Sequence, residues 1–362
     1  MQIVKISTQY PKYFFLKQTP GCKGIWNGFK FYINDDSIKD CDYWIVYDTL
    51  VKKEVSFCPK ENVFLITGEP PNYKKYNTKF VKQFHKVITC HRDMKHENKI
   101  YWQPALFWGV GLKLTNFINF INCNIEITKT YDQLKTSSID PKDKPKLCSV
   151  ISSNKIVTKE HRDRINFVGM LKNHFGDSID VYGRGFKEID DKWDAIAPYK
   201  YHIAIENSSF DDNWTEKLAD AFLGESYPIY FGANNIYSYF DKNSLTQIDI
   251  NNSEEALKII KELISKNYHE KYRNEIIKSK HKILDEYNLF PTIISKLIEP
   301  DSELTHNKNM VELQPEIYFS NILKIKSKLL SNKIIKKYAK LIYKKIIKKY
   351  WLKYLIIRQK KR

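Results

Sequence analysis

At 362 residues the chain exceeds what one hydrophobic core usually organises, and 42% apolar with 14% aromatic residues excludes an intrinsically disordered protein. A formal net charge of +18 points towards nucleic acid, but 16 of the 60 basic residues and none of the 42 acidic ones lie between 324 and 362. The body therefore sets 44 basic groups against 42 acidic ones, is close to neutral, and gives no reason to expect a nucleic-acid partner.

Residues 1–141 read as a first α/β domain. Strand-like runs of β-branched and aromatic residues occur at Ile3–Ile6, Tyr43–Tyr47, Val63–Ile66 and Lys86–Thr89, separated by polar and helical stretches. MQIVKIST opens as a short strand and lacks the basic start and apolar core of a signal peptide. No run of about 18 apolar residues follows it. The six cysteines, at 22, 41, 58, 90, 123 and 148, form no C-x-x-C pair or tight cluster, which suits reduced thiols in a cytosol better than disulfides or zinc.

A charged, proline-bearing linker, Lys142-Asp143-Lys144-Pro145-Lys146, introduces a second α/β domain over 142–300. Its first strand, Leu147–Ile151, ends at Ser152-Ser153-Asn154, where polar side chains can meet a ligand at the carboxyl edge of a sheet; Ser152 and Asn154 are lesser candidates for such contacts. Arg162 and Arg164, on the helix that follows, are secondary candidates for a phosphate. Ile179–Tyr182 is strand-like and runs into Gly183-Arg184-Gly185. Glycines flanking an arginine allow a sharp turn that brings its rigid fork of donors against a phosphate; the alternative is an exposed turn arginine.

The most informative stretch is YHIAIENSSFDDNWTEKLADAFLGESYPIYFG, residues 201–232. A buried strand, Tyr201–Ile205, ends on Glu206 and Asn207. Thr215 is a good N-cap for a helix over Glu216–Leu223, and Gly224 and Pro228 precede a second strand, Ile229–Phe231. The helix N-terminus offers unpaired N–H groups and a partial positive charge, which Lys217 reinforces. Glu216 is an acceptor suited to sugar hydroxyls, and Asn207 both donates and accepts. The set fits a nucleotide-sugar, although a capped surface helix would show the same residues. Downstream, Ser253–Lys266 reads as an amphipathic helix capped by Asn252 or Ser253.

Residues 301–362 read as a linker and a basic tail. Ile335, Tyr338, Ala339, Ile342, Ile346 and Tyr350 share one helical face, and Lys337, Lys340, Lys344 and Lys348 the other. Tyr350, Trp351 and Tyr354 add rings suited to a headgroup region. Such a helix reads as an interfacial anchor on an anionic membrane surface. At about 1 kcal/mol per basic residue, engaging a third of the 16 gives about 5 kcal/mol before apolar burial. A partner-binding helix, an RNA-binding tail or a helix docked on the body remain alternatives.

The segment Ile205-Glu206-Asn207-Ser208, six further residues, then Thr215-Glu216-Lys217 resembles the donor-binding motif of the α-1,3-fucosyltransferases, glycosyltransferase family ten, which runs roughly F-E-N-S, seven variable residues or so, then T-E-K. The resemblance is firm over about residues 146–265. It implies a GT-B fold: two Rossmann-like domains facing across a cleft, here with the basic helical tail appended. It also implies inverting transfer of L-fucose from GDP-fucose to a saccharide hydroxyl, such as O3 of GlcNAc in a lipid-linked or lipopolysaccharide glycan, with no essential metal or other cofactor. VFLITGEPP is similar to the segment carrying the family's proposed general base, which would be Glu69. Arg184 matches the position where an arginine meets the donor pyrophosphate, and Asn207, Glu216 and Lys217 would hold the donor.

One departure from the pattern is Asn213 where some members carry a tyrosine, so Trp214 becomes the candidate for stacking on the base or ribose, and a different 6-deoxyhexose nucleotide stays open as donor. With no leader in view, the expectation is a bacterial enzyme peripheral to the inner face of the cytoplasmic membrane. The rival reading is a non-catalytic membrane- or RNA-binding protein on an inactive transferase body. Two motifs are set aside as decoys. His91-Arg92-Asp93 mimics a kinase catalytic loop without its companions, and Asp40-Cys41-Asp42 has the D-x-D form of a metal-dependent transferase but precedes its strand.

Overall fold

The computed structural model describes residues 1–115, 124–154, 156, 159–298 and 307–320. The amphipathic pattern of 324–362 lies outside the described residues. What is described is a mixed α/β structure built on two largely parallel sheets.

The first sheet runs in the order Ile25–Trp26, Phe29–Ile33, Gln2–Thr8, Tyr43–Tyr47, Val63–Ile66, Lys86–Thr89, Lys99–Tyr101. Every pairing is parallel except that of the first two strands. Tyr43–Tyr47 and Val63–Ile66 are buried at every residue, as continuous apolar runs in a sheet covered on both faces should be. The second sheet runs Ile179–Tyr182, Lys146–Ile151, Tyr199–Ile205, Tyr227–Phe231, Thr246–Gln247, all parallel. Pro228 sits inside one of its strands, a position a ladder normally refuses because proline has no N–H to give. It is tolerated because Thr246–Gln247 pairs only with Ile229 and Tyr230, which leaves Pro228 without a neighbour on that side.

In each sheet the chain reverses its direction of travel across the sheet at one place. In the first it lies between Gln2–Thr8 and Tyr43–Tyr47, and in the second between Lys146–Ile151 and Tyr199–Ile205. Loops leaving the carboxyl ends of such strands diverge and open a crevice, so topology alone marks Asp48 and its neighbours in one half and Ser152 and Glu206 in the other as crevice residues.

The four strands expected in the first half are present. So is the helix Glu216–Leu223, with the Thr215 side chain accepting from the Lys217 N–H, and the helix Ser253–Ser265, preceded by Asn252. Residues 309–320, read from composition as linker, are not loop. Asn309–Leu313 pairs antiparallel with Glu54–Cys58, and Glu316–Phe319 forms a short 3-10 turn beside the helix Thr78–Val81. Gln83 secures this strap in both directions, its Nε2 donating to the Gln314 carbonyl at 3.0 Å and its Oε1 accepting from the Gln314 N–H at 2.8 Å. Asp40 and Asp42, the D-x-D decoy, hold Lys308 at 2.5 and 2.8 Å. Among the described residues no helix is long and apolar enough to cross a membrane.

Leu313 is 1% exposed and packs with Trp44, Leu65 and Phe80 beneath the first sheet. Leu313→Ala should therefore cost about 2–4 kcal/mol in urea unfolding, as for other buried leucines. A surface linker would give a loss near zero.

Candidate functional site

The crevices of the two sheets meet in one cavity of about 1020 Å³. Tyr10, Gly68, Glu69 and Phe107 line it from the first half, and Ser153, Arg184, Asn207, Glu216 and Lys217 from the second.

The second-half wall is built around Glu206. This carboxylate is 2% exposed and accepts from both the N–H and the hydroxyl of Thr215 at 2.8 Å. It also pairs with the Lys217 ammonium at 3.2 Å. Lys217 reaches Glu216 at 3.2 Å, and Lys192 reaches both Glu216, at 3.6 Å, and Asp220, at 3.0 Å. Burial opposes charge on Glu216, but Lys217 and Lys192 outweigh it and hold the carboxyl down at about 2. Burial opposes charge on Lys217 too, and there Glu206 and Glu216 prevail and raise its proton affinity. Glu216 and Lys217 are thus held charged before any ligand arrives, while burial raises the proton affinity of Glu206 and Asp220.

Asn207 has its side-chain oxygen taken by Arg164, whose Nη1 donates to it at 2.5 Å. The same guanidinium holds the Ser153 hydroxyl at 3.2 Å. Arg164 is therefore a buried brace, 5% exposed, and Asn207 presents its NH₂ rather than both functions. Arg162 is exposed and lies off the cavity wall. Arg184 is exposed, lines the cavity and has no ionic partner among the described residues. Its turn depends on Gly183, whose φ is +111° and where a Cβ would lie 2.0 Å from the Ser152 carbonyl oxygen.

Glu69 comes from the loop after Val63–Ile66 and is half-buried. Its carboxyl is pushed up to about 7, first by burial, then by repulsion from Asp48 and Glu216, while Lys217 and Lys74 pull the other way. His91, the first residue of the kinase-like decoy, places its Nε2 at 2.8 Å from the Glu69 carbonyl oxygen, and Arg92 pairs with Asp211 and Asp212.

The remaining sequence candidates divide. Ser152 is buried at the crevice, its hydroxyl without a partner among the described residues. Asn154 is exposed and off the cavity wall, with its amide group packed where a Cβ on Gly185 would fall. Trp214 corrects the expectation of a stacking platform. It is 3% exposed, and its ring meets Tyr239, Phe240 and Tyr287 edge-on. Thr215 must turn inwards to cap the helix, and its neighbour is carried into the core.

Three contributors escaped sequence reasoning. Lys192 opens a short 3-10 turn, Lys192–Ala195, within a charged stretch that carries no motif. Asp220, mid-helix, is 1% exposed and accepts from the N–H groups of Gly109 and Val110 at 2.8 and 3.0 Å, joining the halves beside the cavity. A Cβ on Gly109 would lie 2.7 Å from Asp220 and Lys192 side-chain atoms, so any larger residue there would have to displace that pair. A mid-helix aspartate among apolar residues was the only available signal.

Residues 141–279 match the family model described as glycosyltransferase family 10 (fucosyltransferase), C-terminal. Among curated proteins the chain is 27% identical over 135 residues to alpha-(1,3)-fucosyltransferase FucT of Helicobacter pylori, covering 33% of this chain and 28% of that protein. It is 34% identical over 103 residues to 4-galactosyl-N-acetylglucosaminide 3-alpha-L-fucosyltransferase 9 of Homo sapiens, covering 26% of this chain and 29% of that one. The chain thus spans less than a third of the length of the curated relatives it matches. A crystal structure of an alpha1,3-fucosyltransferase with GDP-fucose is similar at a TM-score of 0.43 and 16% identity, covering 79% of this chain and 92% of that one.

Two outcomes follow from this geometry. Trp214→Ala should cost about 3–5 kcal/mol of stability by urea unfolding, whereas a stacking role would show as lost nucleotide affinity at unchanged stability. Glu69 releases its proton at about 7 when folded but at the ordinary 4.5 when unfolded, so folding loses free energy as pH rises from 4.5 through 7. Glu69→Gln should accordingly be more stable than the parent by about 1–3 kcal/mol at pH 8, with the difference vanishing near pH 4 in paired thermal melts.

Proposed function

We propose, from the premise that residues 141–279 belong to glycosyltransferase family 10, the fucosyltransferases, that the chain is an inverting transferase moving L-fucose from GDP-fucose to a saccharide hydroxyl. One observation carries the reading. A carboxylate with a proton affinity near neutrality, Glu69, faces across a single cavity the cations Arg184 and Lys217 of the other half.

On this reading the donor diphosphate lies against Arg184 and Lys217, with the first turn of the helix Glu216–Leu223 behind it. As the bond from the anomeric carbon to the diphosphate oxygen lengthens, negative charge gathers on the leaving GDP, and these fixed cations stabilise it. Lys192 would add to that field through its hold on Glu216. Glu216 accepts from donor sugar or ribose hydroxyls, and Asn207 gives its NH₂. Ser152, whose hydroxyl has no partner among the described residues, is a further donor contact.

Glu69 accepts the proton of the acceptor hydroxyl as that oxygen attacks the opposite face of the anomeric carbon, which inverts its configuration. A carboxylate near 7 is a stronger base than an ordinary one and is still substantially ionised at neutral pH. No step calls for a metal. The two halves act as the facing domains of a GT-B enzyme, the first taking the acceptor and the second the nucleotide-sugar.

The acceptor belongs to a glycan such as a lipid-linked or lipopolysaccharide oligosaccharide. The basic segment 324–362 favours that choice, since its charge would keep the body on an anionic membrane face where such acceptors reside.

The test is transfer from GDP-fucose to β-linked N-acetyllactosamine acceptors, with donor affinity measured separately by calorimetry. Glu69→Gln should lose at least about 10³-fold in transfer rate with donor affinity within about twofold. Lys217→Ala should weaken GDP-fucose binding at least about tenfold. The rate should fall on the acid side with a midpoint near pH 7 as Glu69 takes its proton. Substantial transfer by Glu69→Gln would remove the base assignment, and no affinity for any guanosine diphosphate sugar would remove the function.

A further inference from the structure

Asp48 follows the strand Tyr43–Tyr47 at the crevice of the first sheet. It is 1% exposed, with φ at +65°. A buried carboxylate costs several kcal/mol unless its oxygens are well supplied with donors, so where those donors come from reveals what the residue holds. One oxygen, Oδ1, accepts from the Tyr76 hydroxyl, from Lys74 Nζ at 3.1 Å and from the Gly68 N–H at 3.4 Å. The other, Oδ2, accepts from Gln9 Nε2 at 2.9 Å. The Tyr76 oxygen in turn accepts from the N–H groups of Gly68 at 3.0 Å and Glu69 at 3.4 Å. A Cβ on Gly68 would lie 3.2 Å from the Asp48 Cβ, so the turn bearing Glu69 rests directly on this side chain. All but one of these donors belong to the loop 68–76 that carries Glu69.

The arrangement extends to the strap. Lys74 also pairs with Glu316 at 3.5 Å, and Glu316 accepts from the Asn77 N–H at 2.6 Å. Glu316, Lys74, Asp48 and the Gly68-Glu69 turn thus form one connected series from the C-terminal strap to the cavity.

We propose that Asp48 is the positioning residue for Glu69, fixing its turn and setting its charge environment, and that Lys74, shared between Asp48 and Glu316, tempers the Asp48 charge that Glu69 feels. The inference rests on the role given to Glu69 above. Asp48 bonds to the Glu69 turn and not to the cavity, and it stands apart from the cavity wall.

The charged and titratable groups around Glu69 come from every neighbouring element. Tyr10 and Asp48 follow the first and fourth strands of the chain, and Lys74 and Tyr76 share the loop with Glu69. His91 follows Lys86–Thr89, and Glu216 and Lys217 face it from the second half. Asp48 and Glu216 raise the Glu69 proton affinity, and Lys217 and Lys74 lower it. Removing Asp48 and removing Lys74 should therefore move Glu69 in opposite directions, a signature that mere loosening of the loop cannot produce.

The experiment uses the full chain labelled with carbon-13 at the glutamate carboxyls, with the Glu69 resonance identified by its disappearance in Glu69→Gln. The midpoint of its titration is compared in the parent, Asp48→Asn and Lys74→Met, alongside the acid limb of the transfer rate. Asp48→Asn should lower the midpoint and Lys74→Met should raise it, each by about half a pH unit or more. Midpoints that stay put, or that move the same way in both variants, overturn the proposal. If Asp48→Asn does not fold, Lys74→Met decides alone: a rise supports the inference and an unmoved midpoint overturns it. Opposite shifts in a protein that transfers no sugar would leave this inference standing and remove the proposed function. Transfer with unmoved midpoints would do the reverse.

Discussion

One buried carboxylate dictates the geometry of the second-half wall. Glu206 ends a strand whose residues are nearly all buried, so its charge cannot reach bulk water and must be satisfied in place. Thr215 and Lys217 supply that satisfaction, and both lie at the start of the helix Glu216–Leu223. Breaking such a pair from one side costs about 3–5 kcal/mol, which is why the helix begins where it does and why Lys217 projects towards the crevice. The neighbouring strand yields to the same demand. At Gly232 a Cβ would fall 2.1 Å from the Tyr230 hydroxyl and 2.5 Å from the Glu206 side chain, so the two together require the chain to leave that strand through a glycine.

A second constraint joins the halves. Asp220 caps two amides of the 109–110 segment, and Asp191 accepts from the Gly111 N–H at 3.0 Å and from the Thr128 hydroxyl. These carboxylates tie the second half's helix and its 191–192 loop to the first half's connecting segment, which lines the cavity with Leu106 and Phe107. The helix N-terminus and the apolar wall beside it therefore move together. Freedom to adjust is left to the Gly68-Glu69 turn, to the exposed Arg184 turn and to whatever a ligand brings. A cavity of this kind is largely preformed, which favours binding by reducing the ordering that a ligand must impose.

Much of this was legible in the sequence, and the parts that were not have physical reasons. Tyr43–Tyr47 and Val63–Ile66 could be read because strands buried on both faces are continuous apolar runs. The helix at 216 could be read because a cap residue, a charged first turn and a terminal glycine coincide. Phe29–Ile33 carries a weaker signal because Lys30 interrupts it, and Asn309–Leu313 because an edge strand need bury only one residue fully. The residue type of Trp214 and its place beside Asn213 suggest a stacking role, yet sequence cannot say on which side of an extended loop a ring falls. Lys192 and Asp48 were invisible for another reason. Each acts through partners more than ten residues away, and a pattern confined to neighbours carries no trace of them.

The cavity separates two glutamates chemically by the company each keeps. Burial works against charge on both, and the difference between about 7 at Glu69 and about 2 at Glu216 is made by cations: Lys217 and Lys192 stand against Glu216, while Asp48 stands behind Glu69. That division suits a base in one half and a ligand-holding acceptor in the other. Lys217 joins the two, because it lowers the proton affinity of Glu69 as well as that of Glu216. On the proposed reading a donor diphosphate adds negative charge beside Lys217, and the share of its field that reaches Glu69 shrinks. Glu69 then holds a proton more tightly with the donor in place than without it. Each ionised Glu69 is then the stronger base when there is an anomeric carbon for the acceptor oxygen to attack, while the fraction ionised at neutral pH falls, so loading the second half conditions the first through charge.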